Sequence, residues 1–127
     1  MALSACNTQT NEWGRELIEH GTGLFPLACY DDDLNASDVP WHWHDEFEFI
    51  LVSQGQAVVS VESSKFILKK GEGIFINAGL LHEARIHGDG LCRFHSAVFH
   101  PRLIGSMDSI YWTKYIQPLL NSPALQF

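Results

Sequence analysis

Positive charge is scarce in this sequence: eight Lys and Arg stand against fifteen Asp and Glu, a formal charge of −7. A surface of that sign repels phosphate, so this segment is a poor match for nucleic acid or anionic membrane. Cysteine is scarce too. Cys6, Cys29 and Cys92 are odd in number and widely spaced, which gives neither a disulfide framework nor a CxxC zinc pattern. Reduced cytosolic thiols are the simpler expectation. No apolar run approaches the ~20 residues that cross a membrane as a helix. The stretch from Leu3 to Cys6 lacks the charged start and the apolar run of ~7 or more residues that a signal peptide carries. A soluble, cytoplasmic protein is expected. Repeats, low-complexity tracts, a Ser-His-Asp order and a Gly-rich phosphate cradle after a strand are all missing, so no catalytic machinery is expected.

The sequence does contain strand punctuation. Its 127 residues, 46% hydrophobic and 18% charged, suit one globular domain with its own core. Asn11 can cap a short helix from Glu12 to Glu19, ended by Gly21. Leu24 to Tyr30 reads as a strand running into a solvated loop at Asp31-Asp32-Asp33, and Pro40 favours an extended approach to Trp41. Six further strands follow: Phe47–Val52, Gln56–Glu62, Phe66–Leu68, Gly73–Ile76, His82–His87 and Leu91–Phe99. Glycine turns separate them, which argues for a sandwich or barrel over residues 1–105.

Residues 106–127 change character. Asp108 or Ser109 can cap a helix in which Tyr111, Tyr115 and Leu119 line up beside Trp112, Ile116 and Leu120, with Pro118 ending or kinking it. That stripe calls for burial. Ser122-Pro123 has the form of a fresh helix start, and the sequence stops at Phe127 before a helix can follow, so more protein is expected downstream.

The informative stretch is Trp41-His42-Trp43-His44-Asp45-Glu46-Phe47-Glu48. Alternate residues of a strand share a face, so His42 and His44 project together with Cα atoms ~6.6 Å apart. His82 follows the glycines at 71, 73 and 79, and a folded-over sheet brings it opposite the pair. Glu48 offers an oxygen, which gives three imidazole nitrogens and one carboxylate. On one straight strand His44 and Glu48 would lie ~13 Å apart, so the fourth ligand requires a bend between Asp45 and Phe47.

At this point the sequence resembles the cupin superfamily. His42, His44, Glu48 and Gly55 match the spacing of its first motif, with Ala36 at the motif's opening glycine. Gly71, Gly79 and His82 match the second, with Asn77 in place of a proline and Ile86 in place of an asparagine. A narrower likeness is to the N-terminal sensor domains of AraC-type transcription regulators. It is carried by the phrases around His42–Glu48, Lys70–Asn77, His95–Pro101 and Tyr115–Leu120.

That resemblance implies an all-β, cupin-like double-stranded β-helix (a jelly-roll barrel) with a C-terminal amphipathic helix. It also implies a small effector, such as a sugar, bound in the barrel of a homodimer that controls metabolic genes. DNA is then contacted only through a separate helix-turn-helix part. Two readings of the histidines stand. His42, His44, Glu48 and His82 hold one divalent metal (Zn, Ni, Mn or Fe), or His42, His44 and His82 line an effector pocket with no ion. His95 joins that lining if its side of the strand faces inward, and Trp43 flanks the mouth. His87 and His100 read as surface or capping residues. The alternative to a sensor is a stand-alone metal-dependent cupin enzyme, a dioxygenase or sugar isomerase.

Overall fold

A computed structural model describes residues 8–121 of the chain. Inward and outward side chains alternate along its strands, as half-buried β-structure requires. In β3 (Phe47–Gln54) Glu48, Ile50 and Val52 are buried while Phe49 and Leu51 are exposed. In β8 (Arg93–Phe99) Phe94, Ser96 and Val98 are the buried set. The other strands are β1 (Leu27–Asp33), β2 (Val39–His42), β4 (Gln56–Val61), β5 (Ser64–Lys69), β6 (Gly73–Ile76) and β7 (His82–Ile86). They form two antiparallel four-stranded sheets, ordered β1-β8-β3-β6 and β2-β7-β4-β5. The chain passes repeatedly from one sheet to the other, the double-sheet jelly roll expected from the glycine-punctuated strands.

Ile50, Val52, Ala57, Val59, Val61, Leu68, Ile74, Ile76, Ala84 and Phe94 make an apolar cluster from strands of both sheets. The interior is not wholly apolar. Tyr30, Asp32, His42, Glu48, His82 and Ser96, from β1, β2, β3, β7 and β8, are also buried.

Three expectations are corrected. Residues 12–19 form no helix. The Asn11 side chain accepts hydrogen bonds from the Trp13 and Arg15 N–H groups (2.9 and 3.0 Å), a local turn that competes with helical pairing. Backbone bonds from Glu16 N to Trp43 O (2.9 Å) and from Trp43 N to Gly14 O (3.0 Å) then lay the segment along the barrel as a strap. Asp31-Asp32-Asp33 is not a solvated loop but the end of β1, in register with His95, Phe94 and Arg93 of β8. Arg93 lies 3.2 Å from Asp31 and 3.6 Å from Asp33, which offsets the clustered charge, while Asp32 turns inward. Leu24 is fully exposed, and the strand starts at Leu27 instead.

The tail is helical over 110–120, and the Ser109 hydroxyl accepts from Trp112 N–H as the expected cap (3.2 Å). Pro118 does not end it. Instead Trp112–Ile116 forms a wide π-turn, in which Gln117 N–H bonds back to Trp112 O, and Gln117–Leu120 continues as α-helix. Ile116 is completely buried, whereas Tyr111, Tyr115 and Leu120 remain exposed, so only part of the expected stripe is covered. The Asn77 amide donates to Leu119 O (2.6 Å), tying this helix to the loop between β6 and β7. The helix start expected at Ser122-Pro123 lies outside the described residues.

Gly55 is the single residue between β3 and β4, where the chain changes sheet. Its φ is +74°, and a Cβ there would meet Leu91 O at 2.0 Å. Gly88 has a similar φ of +78° with open space around it. Gly88→Ala is therefore expected to cost only the left-handed backbone penalty, about 1–2 kcal/mol. Gly55→Ala adds a backbone collision and is expected to cost clearly more. Urea unfolding of the two variants checks the difference, and equal costs would show that the sheet crossing tolerates the extra carbon.

Candidate functional site

The site starts from a strand pair. His42 on β2 and His82 on β7 are direct cross-strand partners, with ring centroids 4.2 Å apart. β2 ends at His42, so His44 stands just beyond the strand, and its carbonyl accepts from Gly79 N–H at 2.8 Å. The chain then bends at Asp45-Glu46 and enters the opposite sheet as β3. That bend removes the straight-strand objection. Glu48 returns to His44, with Oε1 at 3.0 Å from His44 Nε2 and 3.4 Å from His82 Nε2.

Each imidazole is aimed by backbone. The Nδ1 atoms of His42, His44 and His82 meet the carbonyls of Pro40 (2.8 Å), Glu46 (3.1 Å) and Leu80 (2.8 Å). A carbonyl can only accept, so each Nδ1 carries the proton, and the three Nε2 atoms are turned to a common hollow. One ligand atom from each of His42, His44, Glu48 and His82 lies within 4.8 Å of every other, and all four side chains are buried. The donor set fits a transition-metal ion. Imidazole and carboxylate suit Zn, Mn, Fe and Ni, and metal-bound histidines commonly donate their other N–H to a carbonyl. His82 Nε2 also makes no hydrogen bond, although buried, so an ion would satisfy an atom that is otherwise costly to bury.

The strap adds two residues that the sequence does not signal as a site, Glu16 within the expected helix and His20 just past its end. Glu16 and His20 are buried in the hollow, and Glu16 Oε1 is hydrogen-bonded to His20 Nε2. His20 Nδ1 meets the Tyr30 hydroxyl at 2.6 Å, and Glu16 Oε2 lies 3.9 Å from His42 Nε2. The remaining cavity is about 20 Å³, lined by Glu16, His20, Tyr30, His42, Glu48 and Ser96 among others. That is room for about one water molecule or one ion. The four-residue spacing of Glu16 and His20 was visible in the sequence, but it reads equally as a pair on a helix.

Two residues expected near the effector lie elsewhere. His95 alternates with the inward Phe94 and Ser96, so it turns to the outer face, where its side chain is 43% exposed and 3.8 Å from Asp31. Trp43 is half-buried against the strap. Its Nε1 donates to Trp13 O (3.1 Å) and the Arg15 guanidinium sits 5.4 Å from its ring centroid. His87 is exposed, and the His100 ring accepts from Arg102 N–H at the start of a short 3₁₀ turn.

Residues 24–126 match the family described as AraC-like ligand binding domain. The chain belongs to that family. A relative from Bacillus subtilis (strain 168), the uncharacterized HTH-type transcriptional regulator YdeC, is 33% identical over 116 residues. The match takes in 89% of this chain but only 39% of that protein, so the chain spans about two-fifths of its relative. Among solved structures, this AraC-like domain is similar to the Schizosaccharomyces pombe Cnp3 cupin domain, with a TM-score of 0.57 at 15% identity over 65% of this chain and 61% of that one. It is also similar to hydroxypropylphosphonic acid epoxidase from S. wedmorenis, with a TM-score of 0.52 at 21% identity over 58% and 44% of the two chains. Those likenesses establish the cupin fold. In the described residues no helix is long and apolar enough to cross a membrane.

Electrostatics divides the histidines of this domain. Burial, reinforced by repulsion from His82, pushes the His42 ring down from 6.5 to about 4. His44 goes the other way: burial opposes its charge, but the hydrogen bond to Glu48 and the nearby carboxylates outweigh it and raise its pKa. Burial alone would raise Glu48, yet its hydrogen bond to His44 and the proximity of the His44 and His82 rings hold it well below the carboxylate range. For His42 the unfolded chain binds the extra proton between pH 6.5 and 4, so stability is lost as the pH is lowered through that window. His44 contributes in the opposite sense, chiefly above pH 6.5. The metal-free domain is expected to lose up to about 3 kcal/mol through His42 between pH 7 and pH 4. Urea unfolding across this range should show that slope reduced in His42→Asn. An unchanged slope would mean that His42 is not buried neutral.

Proposed function

We propose that this domain is the effector-sensing part of a cytoplasmic, DNA-binding transcription regulator and has no catalytic role of its own. Family membership and the regulator relative support the class. The observation that carries the site is the convergence of His42, His44 and His82 with Glu48 inside a closed double sheet. DNA contact falls to a separate helix-turn-helix domain, consistent with a charge of −7 here. The exposed Tyr111, Tyr115 and Leu120 of the tail helix offer an apolar surface suited to a homodimer partner.

His42, His44, Glu48 and His82 would hold one divalent ion of Zn, Ni, Mn or Fe. Bound there, the ion supplies a Lewis-acidic centre that polarises an oxygen of whatever small molecule reaches it. The alternative reading leaves the three histidines as donors and acceptors for the effector itself. A sugar, the class anticipated for a regulator of metabolic genes, is too large for the hollow behind the strap, whereas a cleft of about 380 Å³ lined by Asp31, Asp33, Ser37 and Arg93 adjoins it. Pockets for small molecules run to about 300–1,000 Å³, against the 20 Å³ hollow here. A ligand of that size would have to move Glu16 and His20 aside. The donor set is equally the observation that favours the second reading, a metal-dependent cupin enzyme.

Thermal unfolding with each metal, and with sugars, tests the proposal. A ligand at 100 times its Kd is expected to stabilise by about 2.7 kcal/mol, and His82→Ala should abolish the metal response. Loss of every such response in the unaltered protein would overturn the sensor reading. Substrate turnover by the loaded domain would favour the enzyme.

A further inference from the structure

The cleft of about 380 Å³ beside the hollow shares Asp32 and Val39 with it as a common wall. Its sides come from β1 and β2, edge strands of the two sheets, and from the loop between them. Asp33 is the cross-strand partner of Arg93, and Asp31 shares its side of β1, so both carboxylates flank the guanidinium, at 3.6 and 3.2 Å. The lip of the cleft is pinned through Asn35. Its side chain donates to Gly90 O (3.0 Å) and accepts from Cys92 N–H (2.8 Å), while its own N–H donates to Asp33 (2.9 Å). A lip held in this way lowers the ordering cost of binding. The volume falls within the range of about 300–1,000 Å³ that small-molecule sites take.

The lining selects the ligand chemistry. A carboxylate only accepts hydrogen bonds and a guanidinium only donates them. A hydroxyl does both, so hydroxyl groups suit a wall where the two alternate. Asp31, Asp32, Asp33 and Asp38 stand against the single guanidinium of Arg93, so phosphorylated or carboxylated molecules are repelled. Oδ1 of Asp31 is buried without a hydrogen bond, an acceptor that lacks a donor. An ammonium group brings positive charge and donors together. We propose that this cleft is the effector subsite and takes a small polyhydroxylated amine, such as an amino sugar, with its ammonium on the aspartates and hydroxyls on Arg93. This rests on the sensor reading above and is independent of the ion. The competing account is a wet groove whose carboxylates only keep the surface acidic.

Amide ¹H–¹⁵N spectra of the domain, titrated with glucosamine, separate the two accounts. N-acetylglucosamine and glucose 6-phosphate serve as the neutral and anionic counterparts. Glucosamine is expected to shift the amides of residues 31–39 and 93 saturably. Loss of the charged donor should weaken N-acetylglucosamine about 10-fold, and the phosphate should shift nothing there. Asp38 is exposed, so Asp38→Asn is expected to weaken glucosamine by only about 5-fold. Asp108→Asn, in the tail segment outside the cleft, should leave it unchanged. If N-acetylglucosamine or the phosphate binds as tightly as glucosamine, or if the two variants behave alike, the assignment is overturned. If Asp38→Asn does not fold, the comparison of the three ligands decides alone. If glucosamine moves nothing in the cleft while a metal or another sugar stabilises the domain, this subsite falls and the sensor reading stands. If no ligand acts at all, both fall.

Discussion

Three backbone carbonyls, those of Pro40, Glu46 and Leu80, set the chemistry of this domain. Each accepts a hydrogen bond from the Nδ1–H of one histidine and thereby decides which nitrogen faces inward. Without them the rings could flip or change tautomer, and a cluster of imidazoles would be only a wet patch of polar side chains. With them, a stretch of barrel wall becomes a donor set of defined direction. The cost of burying so many polar groups falls on the apolar cluster around Val52, Val59 and Ile76, which is what keeps the two sheets closed.

The hollow is small because the barrel is closed twice. The sheets close it laterally, and the strap closes it again with Glu16, His20 and the Trp13–Trp43 contact. An acidic surface outside and a dense histidine–carboxylate interior divide the work. The outside disfavours contact with phosphate, and the inside gathers the donor atoms of the candidate site.

Much of the barrel was legible in the sequence because its strands advertise themselves locally. Val58, Val59 and Val61 before a turn, or Gly73 to Ile76 after one, need no distant partner to be read as strand. The His42, His44 and His82 set was legible for a related reason: a two-residue alternation and a fixed glycine spacing place those rings without knowledge of the rest. The strap was not legible. Asn11 through His20 carries helix signals that tertiary pairing with Trp43 overrides, and Glu16 and His20 were lost with that misreading. Asp31 to Asp33 failed similarly, since nothing near it in sequence reveals that Arg93 will lie alongside. His95 was a question of phase. Which face of β8 looks inward depends on register with β1 and β3, and that is a long-range fact.

The loop between β6 and β7 ties three parts of the molecule together. Gly79 holds the His44 carbonyl, Leu80 holds the His82 ring, and Asn77 grips the end of the tail helix at Leu119. A tether of so few peptide units has little slack. One short loop therefore bears on both the inner wall of the barrel, at His44 and His82, and the helix that carries the outward-facing Tyr111 and Tyr115.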